Sequence, residues 1–597
     1  MRHGSLDLAP IGNCAASALV DRNGRFVWAC VPRVDGDPTF CALLSGRDPS
    51  EDQPGVWAID LVDQVKAEQR YERNTPILVT TLTDARGGVI EIVDFCPRFR
   101  RYDRMFRPAA FVRIVRPLAG APRIRVRLTP AVDWGDDIAE RTAGTNHIRF
   151  LAAMTLRLTT TAPISHIVHA REWRLENEHF FYLGPDEPFN DDIRDVLRGM
   201  YEKTRAYWWR WVRMLATPLE WQAAVIRAAI SLKLCVYEET GAIVAALTTS
   251  VPEAPNSGRN WDYRFCWLRD AYYTVQALNR LGAVDILEGY LAYLRNIVDA
   301  HPEGRIQPVF GVGGEPILDE VMIESLPGYR GMGPVRAGNQ AHEHHQHDVY
   351  GQIVLSTVQA FFDERLIRPP GPDDFRALES VGERAYRLYL APDAGLWEFR
   401  TRAAVHTYSS VMCWAACDRL ANAARRLGLE DRHAHWRKRA DEICKVVLER
   451  AWNKELGRFA GSLDGAEMDA SLLQLVDTRF IAPDDERFLA TFAALEKDLR
   501  RGRYLLRYSD KDDFGLPETA FNFCTFWYIE ALALIGRKEE ARELFEEMLA
   551  RRTSAGLLSE DCDYNTGEPW GNYPQTYSLA GLINCAVLLS NPWSTVR

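Results

Sequence analysis

Along the first third of the chain, apolar and polar positions alternate over short runs. Ala18-Leu19-Val20, Arg25-Phe26-Val27-Trp28, Pro76 to Leu82 and Arg123 to Leu128 are β-branched or alternating. Turn residues such as Asp21-Arg22-Asn23-Gly24 and Arg86-Gly87-Gly88 separate them. A period of two sends successive side chains to opposite faces, so Arg123-Ile124-Arg125-Val126-Arg127-Leu128 predicts a strand with one wet face. Many short strands from Leu6 to about Tyr182 predict an N-terminal β-sandwich domain over residues 1–190.

Near Asp191 the period lengthens. Asp191 to Leu215 reads as a helix carrying Trp208, Trp209 and Trp211, which makes residues 191–217 a helical linker. From Pro218 onward the helical pattern recurs about a dozen times, with starts near residues 220, 268, 283, 346, 373, 407, 431, 467, 484, 518, 537 and 574. Short loops such as Leu281-Gly282-Ala283 and Ile535-Gly536-Arg537-Lys538 join several as antiparallel hairpins. Six such hairpins close into an (α/α)6 barrel over residues 218–597, and no fixed-length repeat marks an open solenoid. The fold class expected is therefore multidomain β plus α. The connections Thr248–Arg259, Gly304–Gly338 and Gly567–Pro574 are long and Gly-rich, and in such a barrel they gather at one end and shape a pocket.

Composition narrows the function. The 597 residues hold 72 Lys and Arg against 82 Asp and Glu, a net charge of −10. With no basic run, this argues against nucleic-acid and anionic-membrane partners. No stretch approaches the roughly 18 apolar residues of a membrane span, and the N-terminal sequence lacks a secretory pattern. The 12 cysteines are scattered without CxxC pairs, as expected for reduced thiols in a cytoplasmic protein. Cys413 and Cys417 read as core packing. Aromatic content of 11%, with 17 Trp, suits a large core or a surface that stacks on sugar rings.

Four segments could carry chemistry. In Gly395-Leu396-Trp397-Glu398-Phe399-Arg400, a carboxyl beside an indole can be desolvated and kept protonated as a general acid; the alternative is a surface Glu398 paired with Arg400. Ser559-Glu560-Asp561-Cys562-Asp563 ahead of a Gly/Pro/Trp loop reads as a charged site beside an aromatic wall, or as an acidic surface turn. Asn260 to Asp270 interleaves aromatics with Arg and Asp, suited to sugar faces and hydroxyls, or caps a helix with Asp270. His342-Glu343-His344-His345-Gln346-His347-Asp348 is rich in imidazole, but HExxH is absent, so a polar rim and helix start is expected rather than a metal site. Glu398 and Glu560 both fall in loops of the helical region. Paired carboxyls with aromatics suit glycosidic bond cleavage, one protonating the leaving oxygen and the other activating water.

Taken in order, Asn260–Asp270, Gly395–Glu398 and Leu557–Asp563 resemble the family 15 glycoside hydrolases, the glucoamylases, glucodextranases and microbial trehalases. Ile11-Gly12-Asn13-Cys14 and Tyr237 to Ala246 look like its bacterial members. The resemblance implies a β-sandwich, a helical linker and an (α/α)6 barrel. It implies Glu398 as general acid and Glu560 as general base of an inverting enzyme, with carboxyls about 6.5–9.5 Å apart and no metal or cofactor. Arg269 and Asp270 match the pair that holds the terminal glucose, and Tyr263 and Trp267 match aromatics of that subsite. Tyr329, Arg336, Trp397 and Tyr577 match pocket positions, and Glu518 a loop that adds a sugar contact. Fungal glucoamylases carry a second acid where this chain has Phe399, so recognition of the second sugar differs. The activity expected is an exo-acting glucoamylase-type hydrolase of soluble malto- or isomalto-oligosaccharides, with α,α-trehalase as the alternative. An inverting phosphorylase or a non-catalytic sugar-binding protein is more distant.

Overall fold

In the computed structural model, which describes residues 4–301 and 305–596, the strand-patterned third folds into two antiparallel sheets. The first runs in the order Ala9–Gly12, Ser17–Val20, Phe26–Cys30, Val56–Leu61, Arg123–Thr129 and Glu172–Arg174, with Pro38–Phe40 added to Phe26–Cys30. The second runs Glu140–Ala143, His147–Leu151, Leu156–Thr160, His179–Pro185, Phe111–Ala119, Val89–Phe95, Leu78–Asp84 and Gln64–Tyr71. Side chains from both, among them Trp57, Val126, Ile92, Phe111 and Phe181, share one buried core, so the sheets pack face to face.

Period-two patterning places Ile124, Val126 and Leu128 in that core, as expected. The opposite face is not uniformly wet, because Arg127 is buried. Its guanidinium meets Asp60 at 2.6 Å and donates to the carbonyls of Glu51 and Pro49. A long side chain can be buried when every N–H finds an acceptor.

The helix Ile193–Arg213 starts on an Asp192 cap, whose carboxylate accepts from the Arg194 N–H. Leu197 and Met200 cover the outer face of the second sheet, over Val79, Val93 and Val112. Trp208 and Trp211 turn instead into the core shared by the first sheet and the helices. Trp28 ties the two regions by donating to the Leu247 carbonyl at 2.7 Å.

Helices then begin at Gln222, Leu268, Val284, Asp348, Pro372, Thr407, Glu430, Gln474, Glu486, Asn522, Lys538 and Thr576, each close to a start read from periodicity. They form two layers. Leu268–Arg280, Asp348–Val358, Thr407–Arg426, Gln474–Asp477, Asn522–Leu534 and Thr576–Leu589 each pack on the next, and the last returns to the first. The others pack outside, and burial explains the sorting: Asn522–Leu534 is buried along almost its whole length, whereas Lys538–Ala550 buries only Ala541, Leu544, Phe545 and Met548. The member near 467 is short, because its chain turns out of the helix at Arg479, φ 61°. Cys413 and Cys417 are fully buried core residues. No described helix is long and apolar enough to cross a membrane.

Candidate active site

Two of the inner helices carry pocket residues in their first turns. Arg269 and Asp270 open Leu268–Arg280, and Tyr577 opens Thr576–Leu589. All three line one cavity with Tyr263, Trp267, Trp397, Glu398 and Glu560. Of the long loops, Thr248–Arg259 supplies Glu253 and Arg259, and Gly567–Pro574 backs Glu560. Gly304, the first residue of the third, lies outside the described residues.

Glu398 sits at the end of a tight turn, its N–H bonded to the Gly395 carbonyl, with φ 62°. A non-glycine residue in that region costs roughly 1–3 kcal/mol, and such strain collects at functional sites. Its Oε1 accepts from the Trp267 indole at 2.6 Å and from Arg269 at 3.1 Å. Oε2 takes no hydrogen bond from any described residue. The indole on Glu398 is therefore that of Trp267. Trp397, its sequence neighbour, donates instead to Asp469 at 2.7 Å. Nor does Arg400 pair with Glu398: it meets Glu320 at 2.9 Å and lies over the Trp261 ring. A helix-free turn swings consecutive side chains apart, which adjacency in sequence does not reveal.

Glu560 is buried, not part of a surface turn. Tyr263 donates to Oε1 at 2.6 Å and the Asn572 N–H reaches Oε2 at 3.3 Å. The rings of Tyr263 and Trp267 meet edge-on at 5.4 Å, so the donors to the two carboxyls are themselves two touching aromatics. Burial, then repulsion from Glu253 and Asp561, holds the Glu560 carboxyl well above the usual range. The same crowding pushes Asp561 up to about 8. Gly571, φ 73°, passes so close that a Cβ there would stand 2.6 Å from Glu560 Oε2. Gly571→Ala is expected to displace that carboxylate and lower kcat by about 10–100-fold, with an unchanged far-UV circular dichroism spectrum as the check on folding.

The floor is a polar knot. Arg269 donates to the Tyr577 hydroxyl at 2.7 Å and to Gln346 at 2.8 Å. Asp270 keeps Oδ1 without a hydrogen bond, 3.9 Å from Arg269 Nε, and burial pushes its carboxyl up to about 7. An arginine and a carboxyl presented together suit vicinal hydroxyls.

Three expected positions fall elsewhere. Tyr329 is buried edge-on against Trp570 and does not line the cavity. Arg336 stands behind Trp261, paired with Glu320 at 2.7 Å, one layer outside the lining. Glu518 is exposed and takes no part in the cavity. Conversely, sequence reading passed over Glu253 and Arg507, which pair in the cavity wall while Trp261 donates to Glu253 at 2.8 Å. Glu253 lay in a loop already marked as pocket-forming; Arg507 had no such signal. The His342–His347 segment runs into the helix start expected from sequence. It bridges a 3-10 turn, Gln340–Glu343, and the helix at Asp348, and no group of three or more metal-ligating side chains is gathered among the described residues.

Carboxyls held separately by aromatic donors, over a buried arginine and aspartate, are the equipment of a glycoside hydrolase. The profile of glycosyl hydrolases family 15 matches residues 221–587, and the chain belongs to that family. It is 32% identical to a trehalase of Thermoplasma volcanium over 96% of this chain and 92% of that protein. It is 31% identical to a trehalase of Mycobacterium tuberculosis over 97% of this chain and 89% of that one. Among solved structures, a bacterial glucoamylase complexed with acarbose shares the fold, with a TM-score of 0.70 at 13% identity over 98% of this chain and 94% of that one.

Proposed function

We propose that the chain is an inverting α-glucoside hydrolase whose substrate is α,α-trehalose. The observation that carries the choice of substrate is the likeness to trehalases of bacteria and archaea along almost the whole chain. It favours the second of the two activities expected from sequence over malto-oligosaccharide hydrolysis. The closed circuit of inner helices supports reading residues 218–597 as an (α/α)6 barrel, behind a sandwich over 1–190 and a linker over 191–217.

In this reading Arg269, Asp270 and Tyr577 hold one glucose. Glu398 protonates the bridging oxygen through Oε2 as the C–O bond breaks. Glu560, ionised and oriented by Tyr263, takes a proton from the water that attacks the anomeric carbon from the opposite face. The attacked glucose leaves as the β-anomer and the other as the α-anomer. Time-resolved proton NMR on trehalose checks this: equal initial rates of α- and β-glucose are expected. Two α-anomers would overturn inversion, and trehalose left intact while maltotriose yields β-glucose would overturn the substrate.

A further inference from the structure

Of the four histidines between 342 and 347, three are accounted for by the fold. His342 engages the Asn339 carbonyl at 2.9 Å. His345 is exposed. His347 is buried with its ring stacked on Tyr350, and its backbone N–H bonds Asp393 at 2.7 Å. His344 differs: it lines the catalytic cavity, and both ring nitrogens are shut from solvent with no hydrogen-bond partner among the described residues. Buried polar groups are nearly always paired, so a pocket imidazole left unpaired on both sides is a group that ligand completes.

The position of His344 says which part of the ligand. It lines the cavity together with Glu398, Phe399 and Arg400, and the carbonyl of its neighbour His345 accepts from the Ala394 N–H at 2.8 Å, which seats it beside the turn that carries Glu398. On the proposed reading Arg269, Asp270 and Tyr577 are taken up by the glucose that is attacked. Next to Glu398, Phe399 offers no polar atom and packs on His406 and under Arg402, while Arg400 is engaged by Glu320. We propose that His344 hydrogen-bonds a hydroxyl of the leaving sugar and thereby sets which α-glucosides the pocket accepts. Burial holds this imidazole below its usual pKa. The neutral ring, one donor and one acceptor, matches a hydroxyl, which is both.

The inference rests on the proposed reading of the pocket as an α-glucosidase site. Wild type, His344→Ala and His344→Gln are to be compared on α,α-trehalose and on α-glucosyl fluoride, whose leaving group carries no sugar. His344→Ala is expected to lose kcat/KM on trehalose at least about tenfold more than on the fluoride, chiefly through KM. His344→Gln, which keeps a donor and an acceptor, regains most of the difference. Equal losses on both substrates would assign His344 to structure alone, and no loss on trehalose would remove it from the subsite; either overturns the proposal. Wild type that cleaves the fluoride but not trehalose overturns the substrate reading instead, and the same ratio is then taken with maltose.

Discussion

Glu398→Gln lowers kcat on trehalose by about 10²–10⁴-fold while leaving the fold intact, because glutamine keeps the shape but cannot supply the proton. The structure sharpens the expectation. Oε1 is occupied by Trp267 and Arg269, so an amide in the glutamate's place can turn its oxygen to both donors. Its NH2 then occupies the Oε2 position. KM should change little, since on the proposed reading the first glucose is held by Arg269, Asp270 and Tyr577. α-Glucosyl fluoride, whose leaving group needs far less protonation, should be spared relative to trehalose. A Glu398→Gln enzyme with trehalose kcat within about tenfold of wild type would remove Glu398 from the acid role.

Glu560→Gln is expected to abolish activity to a similar degree, about 10²–10⁴-fold, and to make the protein more stable at neutral pH. On the proposed reading the base works ionised, yet the Glu560 carboxyl is buried beside Glu253 and Asp561, with Arg507 committed to Glu253. Its folded-state pKa is raised, so the stability it contributes is complete below the unfolded value near 4.3 and is lost as pH rises through the folded value. Glutamine carries no charge and escapes that loss. Its amide can still meet the Tyr263 hydroxyl and the Asn572 N–H. The variant should therefore melt higher at pH 7, by about 1 °C for each kcal/mol of relief in a chain of 597 residues, and like wild type near pH 3. The same raised pKa places the acid limb of wild-type kcat/KM above an ordinary glutamate, since activity falls as Glu560 gains its proton. A variant less stable than wild type at pH 7 would show that the ionised carboxylate is not strained by its neighbours. Trading stability for function in this way is usual at active sites.

The inner-ring helices show why part of the architecture was readable. Asn522–Leu534 is apolar nearly all round and Lys538–Ala550 is apolar on one stripe, and those patterns predict an inner and an outer helix before any contact is known. The switch from period two to longer period near Asp191 likewise reports backbone geometry through burial alone. Glu398 and Glu560 were legible because each stands in a local motif of aromatics and glycines. Arg127 was not, since a buried ion pair in a strand has the same letter pattern as a solvated one; only Asp60 and the Glu51 and Pro49 carbonyls make it inward.

What the sequence determined by itself was therefore periodicity, turn chemistry and the two carboxyl-bearing motifs that the fold brings to one cavity, all properties of neighbours along the chain. What only the tertiary structure decided was partnership. It put the indole of Trp267 rather than Trp397 on Glu398, turned Arg400 to Glu320, and brought Glu253 and Arg507 to the wall beside Glu560. It also left Tyr329 and Glu518 outside the pocket and one histidine of four unpaired within it. The physical reason is that the ionisation of a carboxyl, and the availability of an imidazole, depend on groups within a few ångströms. In a ring of helices those groups come from loops hundreds of residues apart.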